Sequence, residues 1–350
     1  MSLFASKSSY SLSAEEQVIA REILNRVKKS KRILLHLHPR PDGDSLGSSL
    51  AMKVVLESFG KEVTLIKGDS ELPGYLSHLP GFSTIVLKNI FEIDLASFDL
   101  FIIQDSGSLT MVSGLGPITF PPTLDTIVID HHATNDSFGK VNLIAEGYPS
   151  VSELLYYVFK EWGVKPFHDM ALPLFIGMYT DTGGFKYEKT TSRTFNAVSV
   201  LTEVAPDFVK ALWVMDNNRS KNELLFEALA LSLVQSYEHD HVALSAVSLE
   251  DLKHRGIETY ASGVSSVANK LKSVVGWEIG AAMVEEEPGV VKVSFRTRDS
   301  VKFDVSKVAE ALGGGGHKAA AAAVIKAPLS EAVAKVTDAI HMIYFNDGNL

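Results

Sequence analysis

The sequence predicts an α/β protein with two domains, the first built on a mostly parallel sheet. The chain has 350 residues, more than one typical domain holds. Hydrophobic residues make up 46% and charged residues 21% of it, which is ordinary globular usage and enough for two cores. Short apolar runs alternate with helical stretches, as in strands that are joined by crossover helices.

The N-terminal half gives the clearest alternation. Ser13 and Glu16 form a capping box that opens a helix running to about Lys29. Strands are predicted at 33–37, 62–66, 99–104 and 126–129, with a further candidate at 84–87. Helices are predicted at 45–59, 150–162 and 170–179. These elements fit one α/β domain with a mostly parallel sheet.

The C-terminal half predicts a smaller α/β domain with a mixed sheet. Residues 211–239 are expected to be mainly helical, with the best break at 217–220. Strands follow at 241–247, 277–285 and 290–296, and helices near 260–274, 305–312 and 329–344. We therefore predict a catalytic domain over residues 1–212, a helical linker over 213–239 and a second domain over 240–350. The active site is expected in the cleft between the two domains.

Composition and charge exclude several classes of protein. A formal net charge of −9 argues against binding of long nucleic acids, which requires an extended basic surface. No apolar run approaches the roughly 20 residues of a membrane span, and the N-terminus lacks the apolar core of a secretory signal. Without cysteine, the chain has no disulfide framework and no thiolate metal site. We expect a cytoplasmic protein that is not bound to a membrane.

Ionisable residues cluster where the predicted strands and one apolar helix of the first domain end. They are His38, Asp42, Asp44, Asp105, Asp130, His131, His132 and Asp181. In open α/β sheets the loops that follow the carboxyl ends of the strands converge on one site. Each aspartate could instead cap a helix or a turn, and a single histidine is more often structural than a ligand. His36, on the other face of its strand, is expected in the core or behind the site.

The donor types indicate divalent metals. Carboxylates and imidazoles without sulfur suit Mn²⁺, Mg²⁺, Co²⁺ or Fe²⁺ better than a structural zinc. Their number exceeds the needs of one ion, which favours two metals about 3.5–4 Å apart that share one carboxylate and activate a water. The combination therefore points to phosphoryl transfer, although no single residue does so.

A second cluster lies in the C-terminal domain. Four consecutive glycines at 313–316 allow backbone N–H groups to approach an anion closely. His317 and Lys318 follow them, and Arg296 can hold a phosphate through two parallel hydrogen bonds. The same segment could equally be a flexible loop or the end of the preceding helix.

Four motifs in this order, HPRPDGDS, IIQDSG, IDHH and YTDTGGF, resemble those of the DHH phosphoesterase superfamily. The similarity covers nearly the whole chain. The metal ligands that the resemblance implies are His38, Asp42 and Asp105 for one ion and Asp44, Asp105, His131 and Asp181 for the other. It also implies that Asp130 orients the neighbouring imidazole and that His132 faces the scissile phosphate as a hydrogen-bond or proton donor. Mn²⁺ is the first choice of metal, with Mg²⁺ or Co²⁺ as alternatives.

The glycine segment resembles the substrate loop of the DHH-associated domain. The residues implied in substrate binding are Arg296, Gly314, Gly315, Gly316 and His317. Members of the family commonly have glycine where this chain has Ala321, which leaves the geometry of the loop open at that position.

The two-domain arrangement resembles the small oligoribonuclease and phosphatase branch, the nano-RNase type. The resemblance implies exonucleolytic hydrolysis of short oligoribonucleotides and dinucleotides, and removal of the 3′-phosphate from adenosine 3′,5′-bisphosphate. Long double-stranded nucleic acid is not an expected partner, and homodimer formation is left open. The alternatives are an inorganic pyrophosphatase or exopolyphosphatase, a phosphodiesterase of cyclic di-AMP or pApA, and a nucleotide-binding regulator without catalysis.

Overall fold

The computed structural model describes residues 10–258 and 263–346. The chain divides into two compact units, Met1–Asn218 (unit 1) and Arg219–Leu350 (unit 2). The division falls inside the stretch 213–239 that was predicted as a linker. Among the described residues, no helix is both long and apolar enough to cross a membrane.

Unit 1 is built on a five-stranded sheet in which every pair is parallel, in the order β2-β1-β3-β4-β5. Its strands are β1 (Arg32–His36), β2 (Glu62–Ile66), β3 (Leu100–Gln104), β4 (Asp125–Asp130) and β5 (Val141–Ile144). Its helices are α1 (Ala14–Lys29), α2 (Gly43–Ser58), α3 (Val151–Glu161), α4 (His168–Asp181), α5 (Ser192–Val204) and α6 (Phe208–Asp216). Because the strands are parallel, their carboxyl ends lie along one edge of the sheet. The predicted parallel sheet is confirmed.

Local sequence accounts for the first helix at both ends. The hydroxyl of Ser13 accepts a hydrogen bond from the backbone N–H of Glu16, whose carboxylate accepts one from the N–H of Ser13. The buried face carries Ala20, Ile23 and Val27, which recur at helical spacing. The predicted helix is confirmed from its cap to Lys29.

Helices α2 and α4 pack backbone against backbone, and this contact brings their functional ends together. A Cβ atom placed on Gly47 of α2 would overlap the carbonyl oxygen of Pro173 in α4. One placed on Gly177 of α4 would overlap the hydroxyl of Ser152. Glycine is therefore required at both positions by close approach rather than by backbone conformation.

Gly47→Ala should destabilise the protein. Overpacking costs about 1–3 kcal/mol, and since the obstacle is a backbone carbonyl it cannot rotate away. The helix propensity of alanine returns only about 1 kcal/mol. Because the clash is with backbone we expect the upper part of that range, about 2–3 kcal/mol, and hence a net loss of roughly 1–2 kcal/mol in the free energy of unfolding, measured with urea on the metal-free protein. Gly74→Ala is the control, because a Cβ there meets nothing within 4 Å; a Gly47→Ala variant as stable as the wild type would contradict the packing argument.

Unit 2 contains a six-stranded mixed sheet in the order β10-β11-β9-β8-β7-β6, in which only β7 and β8 are paired in parallel among the described residues. Its strands are β6 (Val234–Tyr237), β7 (Val242–Val247), β8 (Ile279–Glu287), β9 (Val290–Thr297), β10 (Gly315–His317) and β11 (Ala320–Lys326). Its helices are α7 (Lys221–Ser232), α8 (Leu249–His254), α9 (Gly263–Leu271), α10 (Val305–Ala311) and α11 (Leu329–Ile340). The predicted mixed sheet is confirmed; the start of the helix predicted at 260 lies outside the described residues.

The predicted strand at 84–87 is wrong. Residues Phe82–Thr84 form a 3₁₀ turn, and Val86 makes a single isolated bridge to Ile66. Ile85 is buried in the core, but Val86 and Leu87 are 37% and 68% exposed, so the run packs through one residue and the pairing stops at a single bridge.

The predicted helical stretch 211–239 is too long, although its break is correct. Helix α6 ends at Asp216, and α7 begins at Lys221 behind a capping box of Ser220 and Glu223. Residues 234–237 are not helical, because they pair antiparallel with β7 as an edge strand. Strand β5 was not predicted, since its four residues alternate between buried and half-buried positions too briefly to give a periodic signal.

Candidate active site

The carboxyl edge of the unit 1 sheet brings the predicted site residues together. β1, β3 and β4 each end at it, and the first turn of α2 and the last turn of α4 reach the same place. The residues that line the pocket of about 400 Å³ at this edge are His38, Pro39, Arg40, Asp42, Asp105, Thr110, Met111, Gly114, His131, His132 and Asp181. Asp44 is buried and joins His131 and Asp181 in one group of donor atoms.

Asp105 stands between two groups of donors. It follows β3 directly, is 4% exposed and has a φ of 51°, in the left-handed region that non-glycine residues seldom adopt. One carboxylate oxygen lies 3.6 Å from Nε2 of His38, and the other lies 3.7 Å from Nε2 of His131. A strained backbone that aims one carboxylate at two imidazoles suits a ligand that two ions share.

Two sets of donor atoms surround this carboxylate. His38, Asp42 and Asp105 form one set, in which Nε2 of His38 lies 3.6 Å from a carboxylate oxygen of Asp42. Asp44, His131 and Asp181 form the other, in which Nε2 of His131 lies 3.4 Å from a carboxylate oxygen of Asp181. The atoms within each set lie within 4.8 Å of one another. The structure thus brings together all six residues that were predicted as metal ligands.

The donor set fits divalent cations. Most of these separations exceed a good hydrogen bond, whereas two ligands at about 2.1 Å from one ion lie roughly 3.0–4.2 Å apart. Among the described residues, the buried Nδ1 of His38 has no hydrogen-bond partner, so its ring is placed by packing with Nε2 towards the carboxylates. Several carboxylates at one buried edge need positive charge, which divalent ions would supply.

Asp42 shows that a cap and a ligand can be the same residue. Its side chain caps α2 by accepting hydrogen bonds from the backbone N–H groups of Asp44 and Ser45, each 3.0 Å long. Asp42 therefore does cap a helix, which is the structural role expected of an aspartate after a strand. It fixes the carboxylate at the rim of the pocket without using all of its lone pairs.

Histidines 131 and 132 are oriented differently. Nδ1 of His131 lies 3.2 Å from the carbonyl oxygen of Tyr148, to which it donates, and this leaves Nε2 as a ligand atom. Nδ1 of His132 lies 2.8 Å from the fully buried carboxylate of Asp130. The other oxygen of Asp130 accepts a 2.7 Å hydrogen bond from the amide of Asn135. With both oxygens engaged, Asp130 orients His132, although it is close enough to the other donors to be grouped with them.

The charges of the pocket are shifted by burial and by one another. Burial, followed by the neighbouring carboxylates Asp44 and Asp42, raises the pKa of Asp105 well above its usual value. The same causes raise the pKa of Asp181 to about 8, against the opposing charges of His132 and Lys189. The hydrogen bond to Asp130 raises the pKa of His132, so this imidazole is more readily protonated than a free one. Bound cations would stabilise the ionised carboxylates, and the raised pKa of His132 suits this residue to donate a proton.

Some pocket residues were not assigned from the sequence. Arg40 belongs to the HPRPDGD run but was given no role, although it lies exposed at the rim. Thr110 and Met111 also line the pocket, and no local pattern marked them. His36 is buried, donates to the Leu37 carbonyl and has its pKa lowered to about 3 by burial, so it lies in the core as expected.

Other histidines form no comparable site within the part of the chain that the structure describes. Groups of three or more donors near enough for a metal occur there only at this edge. The histidines outside these groups that were expected to be structural are His78, His168, His239, His241, His254 and His341.

In unit 2 the predicted substrate residues share one region of the sheet. Arg296 of β9 and His317 of β10 both lie opposite Ala320 of β11, on either side of it. Directly paired residues project from the same face, so the side chains of Arg296 and His317 stand two strands apart, about 10 Å. The guanidinium of Arg296 donates to the hydroxyl of Ser294 and to the carbonyl of Phe295.

The glycine segment is an edge strand for part of its length rather than a loop. Gly315–His317 is exposed and pairs antiparallel with β11, since glycine and alanine backbones can approach closely. Gly316 has a φ of 146°, and a Cβ there would lie 2.6 Å from the Cα of Ala321. Ala321 itself is 4% exposed and packs in the core of unit 2. Gly316 has no side chain that would clash with Ala321 across the strand pair, and alanine is therefore accommodated at position 321.

Comparison with known families agrees with this geometry. Residues 32–178 match the DHH family, N-terminal domain, and residues 242–344 match the DHHA1 domain. The chain contains a DHH domain and a DHHA1 domain. The resemblance predicted from the four motifs is confirmed, and both matches lie within the compact units that bear the two clusters.

Relatives of this DHH chain extend along its length. A bifunctional oligoribonuclease and PAP phosphatase NrnA from Thermus thermophilus is 28% identical over 332 residues, 93% of this chain and 94% of the relative. An NrnA of the same description from Bacillus subtilis is 25% identical over 313 residues, 87% of this chain and 92% of the relative. The DHH chain is thus similar to the oligoribonuclease and phosphatase branch.

Solved structures share the fold. An exopolyphosphatase-related protein from Bacteroides fragilis superposes with a TM-score of 0.84 at 23% identity, covering 93% of this DHH chain and 96% of that one. Exonuclease RecJ bound to manganese gives a TM-score of 0.53 at 17% identity, covering 95% of each. At these identities the comparison establishes the α/β architecture.

Proposed function

We propose that this chain is a metal-dependent phosphoesterase that hydrolyses short oligoribonucleotides and dinucleotides from an end, and adenosine 3′,5′-bisphosphate. The observation that carries the proposal is the convergence of five carboxylate and imidazole side chains around a sixth, the carboxylate of Asp105. The full-length similarity to oligoribonucleases and PAP phosphatases supports the substrate class.

The proposed ligands form two overlapping sets. They are His38, Asp42 and Asp105 in one set and Asp44, Asp105, His131 and Asp181 in the other. Mn²⁺ is the proposed metal, because the donors are hard oxygens and imidazoles without sulfur. When bound, two such ions activate water and stabilise the charge on the phosphoryl oxygens.

The remaining pocket residues serve the substrate. In the proposed reaction, water adds to phosphorus and the P–O bond to the leaving group breaks. Protonated His132 gives its Nε2 proton to the departing oxygen, and a proton from the water leaves to solvent. Asp130 holds His132 by its Nδ1–H. Arg40 at the rim is suited to meet a phosphate oxygen through paired N–H groups.

A turnover panel tests the proposal. The metal-stripped protein is supplied with Mn²⁺ and given pApA, adenosine 3′,5′-bisphosphate, RNA of two to five and of about twenty nucleotides, pyrophosphate and cyclic di-AMP. We expect hydrolysis of pApA, adenosine 3′,5′-bisphosphate and the shortest RNAs, and much weaker turnover of the long RNA. Faster release of phosphate from pyrophosphate than hydrolysis of any nucleotide would contradict the substrate class. Nucleotide binding without turnover would contradict catalysis altogether.

Arg296→Ala should chiefly raise KM for pApA, with a smaller effect on kcat. We assign Arg296 and the Gly314–His317 backbone to substrate binding, so the loss is one of binding shared by ground state and transition state. Lys335→Ala is the matched control. Lys335 lies on α11, where it pairs with Glu331. The buried residues of α11 pack with Phe295, so this helix covers the face of the sheet opposite to Arg296. An Arg296→Ala variant with unchanged KM would remove this residue from the substrate site.

A further inference from the structure

The segment 147–153 leads into α3 and contacts two of the proposed metal ligands. The carbonyl oxygen of Tyr148 accepts the Nδ1–H of His131 at 3.2 Å, which directs Nε2 of that ring towards the carboxylates. The backbone N–H groups of Val151 and Ser152 donate to the two oxygens of Asp44, at 2.7 and 2.9 Å. The position of this one segment therefore sets the orientation of both ligands.

Arg193, in the first turn of α5, holds the segment at three points. Its Nη2 donates to the carbonyl of Gly147 at 2.6 Å. Its guanidinium carbon lies 3.7 Å from the centroid of the Tyr148 ring, in cation–π contact. Its Nε donates to a carboxylate oxygen of Glu153 at 2.6 Å. The contacts are with the first two residues and the last residue of the segment.

Burial of Glu153 makes the contact specific. The Glu153 side chain is fully buried, and burial raises the pKa of that carboxyl, while hydrogen bonds from Thr194 and Arg193 and the charge of Arg193 act in the opposite direction. A buried carboxylate is costly unless it is paired, so Glu153 confines the guanidinium to one place. The backbone carbonyl of Arg193 accepts a 2.8 Å hydrogen bond from the hydroxyl of Tyr157, which fixes its own position.

We propose that Arg193 is a positioning residue for the metal site. It contacts none of the proposed ligands; it fixes the Tyr148 carbonyl and the first N–H groups of α3, and these orient His131 and Asp44. The inference rests on the proposed metal assignment. A lysine at 193 would keep a positive charge beside Glu153 but could not reach Gly147, Tyr148 and Glu153 together, because its single ammonium lacks the planar fork.

The test measures Mn²⁺ binding to the metal-stripped full-length protein. Free Mn²⁺ is followed by electron paramagnetic resonance for the wild type, R193K and R193A, and the Mn²⁺-dependent rise in Tm is recorded for each. We expect both variants to bind Mn²⁺ about 10–100-fold more weakly, as for other residues that orient metal ligands. Hydrolysis of pApA should need a correspondingly higher Mn²⁺ concentration and should recover most of its kcat at saturation. R193K keeps the buried charge pair and guards against an R193A variant that does not fold.

Arg26→Lys is the matched control. Nη1 of Arg26 lies 2.7 Å from both carboxylate oxygens of Asp125, at the amino end of β4 and thus at the opposite edge of the sheet. This variant makes the same exchange of arginine for lysine at a comparably short ion pair, and it should leave Mn²⁺ affinity unchanged. A folded R193K variant that binds Mn²⁺ like the wild type, or equal weakening in Arg26→Lys, would overturn the positioning role alone. Wild-type protein that binds no Mn²⁺ would overturn the metal assignment and this inference with it.

Discussion

Asp105→Asn should abolish hydrolysis of pApA at saturating Mn²⁺, with a fall in kcat of about 10³-fold or more, as for removal of one member of a catalytic unit. One oxygen of Asp105 faces His38 of the first proposed ligand set, and the other faces His131 of the second. Asparagine would therefore remove the anionic ligand that the two proposed ions share. Asparagine also tolerates a φ of 51° better than most residues, which keeps the backbone of the site in place. Initial rates with a metal titration give the result.

The same substitution should not weaken the metal-free protein. The charge of Asp105 is buried beside Asp44, Asp42 and Asp181, and these raise its pKa; its ionised form therefore destabilises the folded state at neutral pH. We expect the variant to unfold at an equal or higher urea concentration without metal and to lose most of the stabilisation that Mn²⁺ gives the wild type. Asp99→Asn is the control, because it makes the same chemical change at the amino end of the same strand, where Asp99 accepts hydrogen bonds from backbone N–H groups. Normal turnover by Asp105→Asn would refute the shared ligand.

His132→Ala should lower kcat for pApA by about 10²–10⁴-fold, the contribution of a positioned proton donor. Its KM and its Mn²⁺ affinity should change little, because Nδ1 of His132 is engaged by Asp130 and the ring is not among the proposed ligands. Steady-state kinetics together with Mn²⁺ titration separate the two effects.

A substrate with a p-nitrophenolate leaving group identifies the step that His132 serves. That leaving group departs without a proton, so the deficit of His132→Ala should shrink greatly on a p-nitrophenyl ester of a nucleotide. His168→Ala is the control, since His168 is likewise hydrogen-bonded to aspartate side chains, those of Asp169 and Asp207, but lies outside the pocket. An equal deficit on both substrates would assign His132 to a role other than proton donation.

Elements with strong local signals could be predicted from the sequence. The capping box at Ser13 and Glu16 fixes the start of α1, and the apolar runs give β1, β3 and β4 to within one or two residues. Elements whose formation depends on a distant partner could not. Val86 forms a bridge but no strand, and 234–237 is a strand only because β7 lies beside it.

The residues of the candidate site also divide into those with a local signal and those without one. Most donors lie in short motifs that follow strand ends, so the parallel sheet predicted that these converge; Asp181, at the end of α4, joins them through the packing of α4 on α2. The residues that orient them lie far away in sequence: Tyr148 beside His131 and Arg193 beside Glu153 have no local pattern that links them. The domain limits, the individual roles of the site residues, the cytoplasmic location and the homodimer stay predictions.

Crystals grown with Mn²⁺ and measured at the manganese absorption edge test the central claim most directly. The account predicts two anomalous peaks about 3.5–4 Å apart, with Asp105 contacting both. One peak should also contact His38 and Asp42, and the other Asp44, His131 and Asp181. A single peak, or peaks that do not contact Asp105, would contradict the two-metal site.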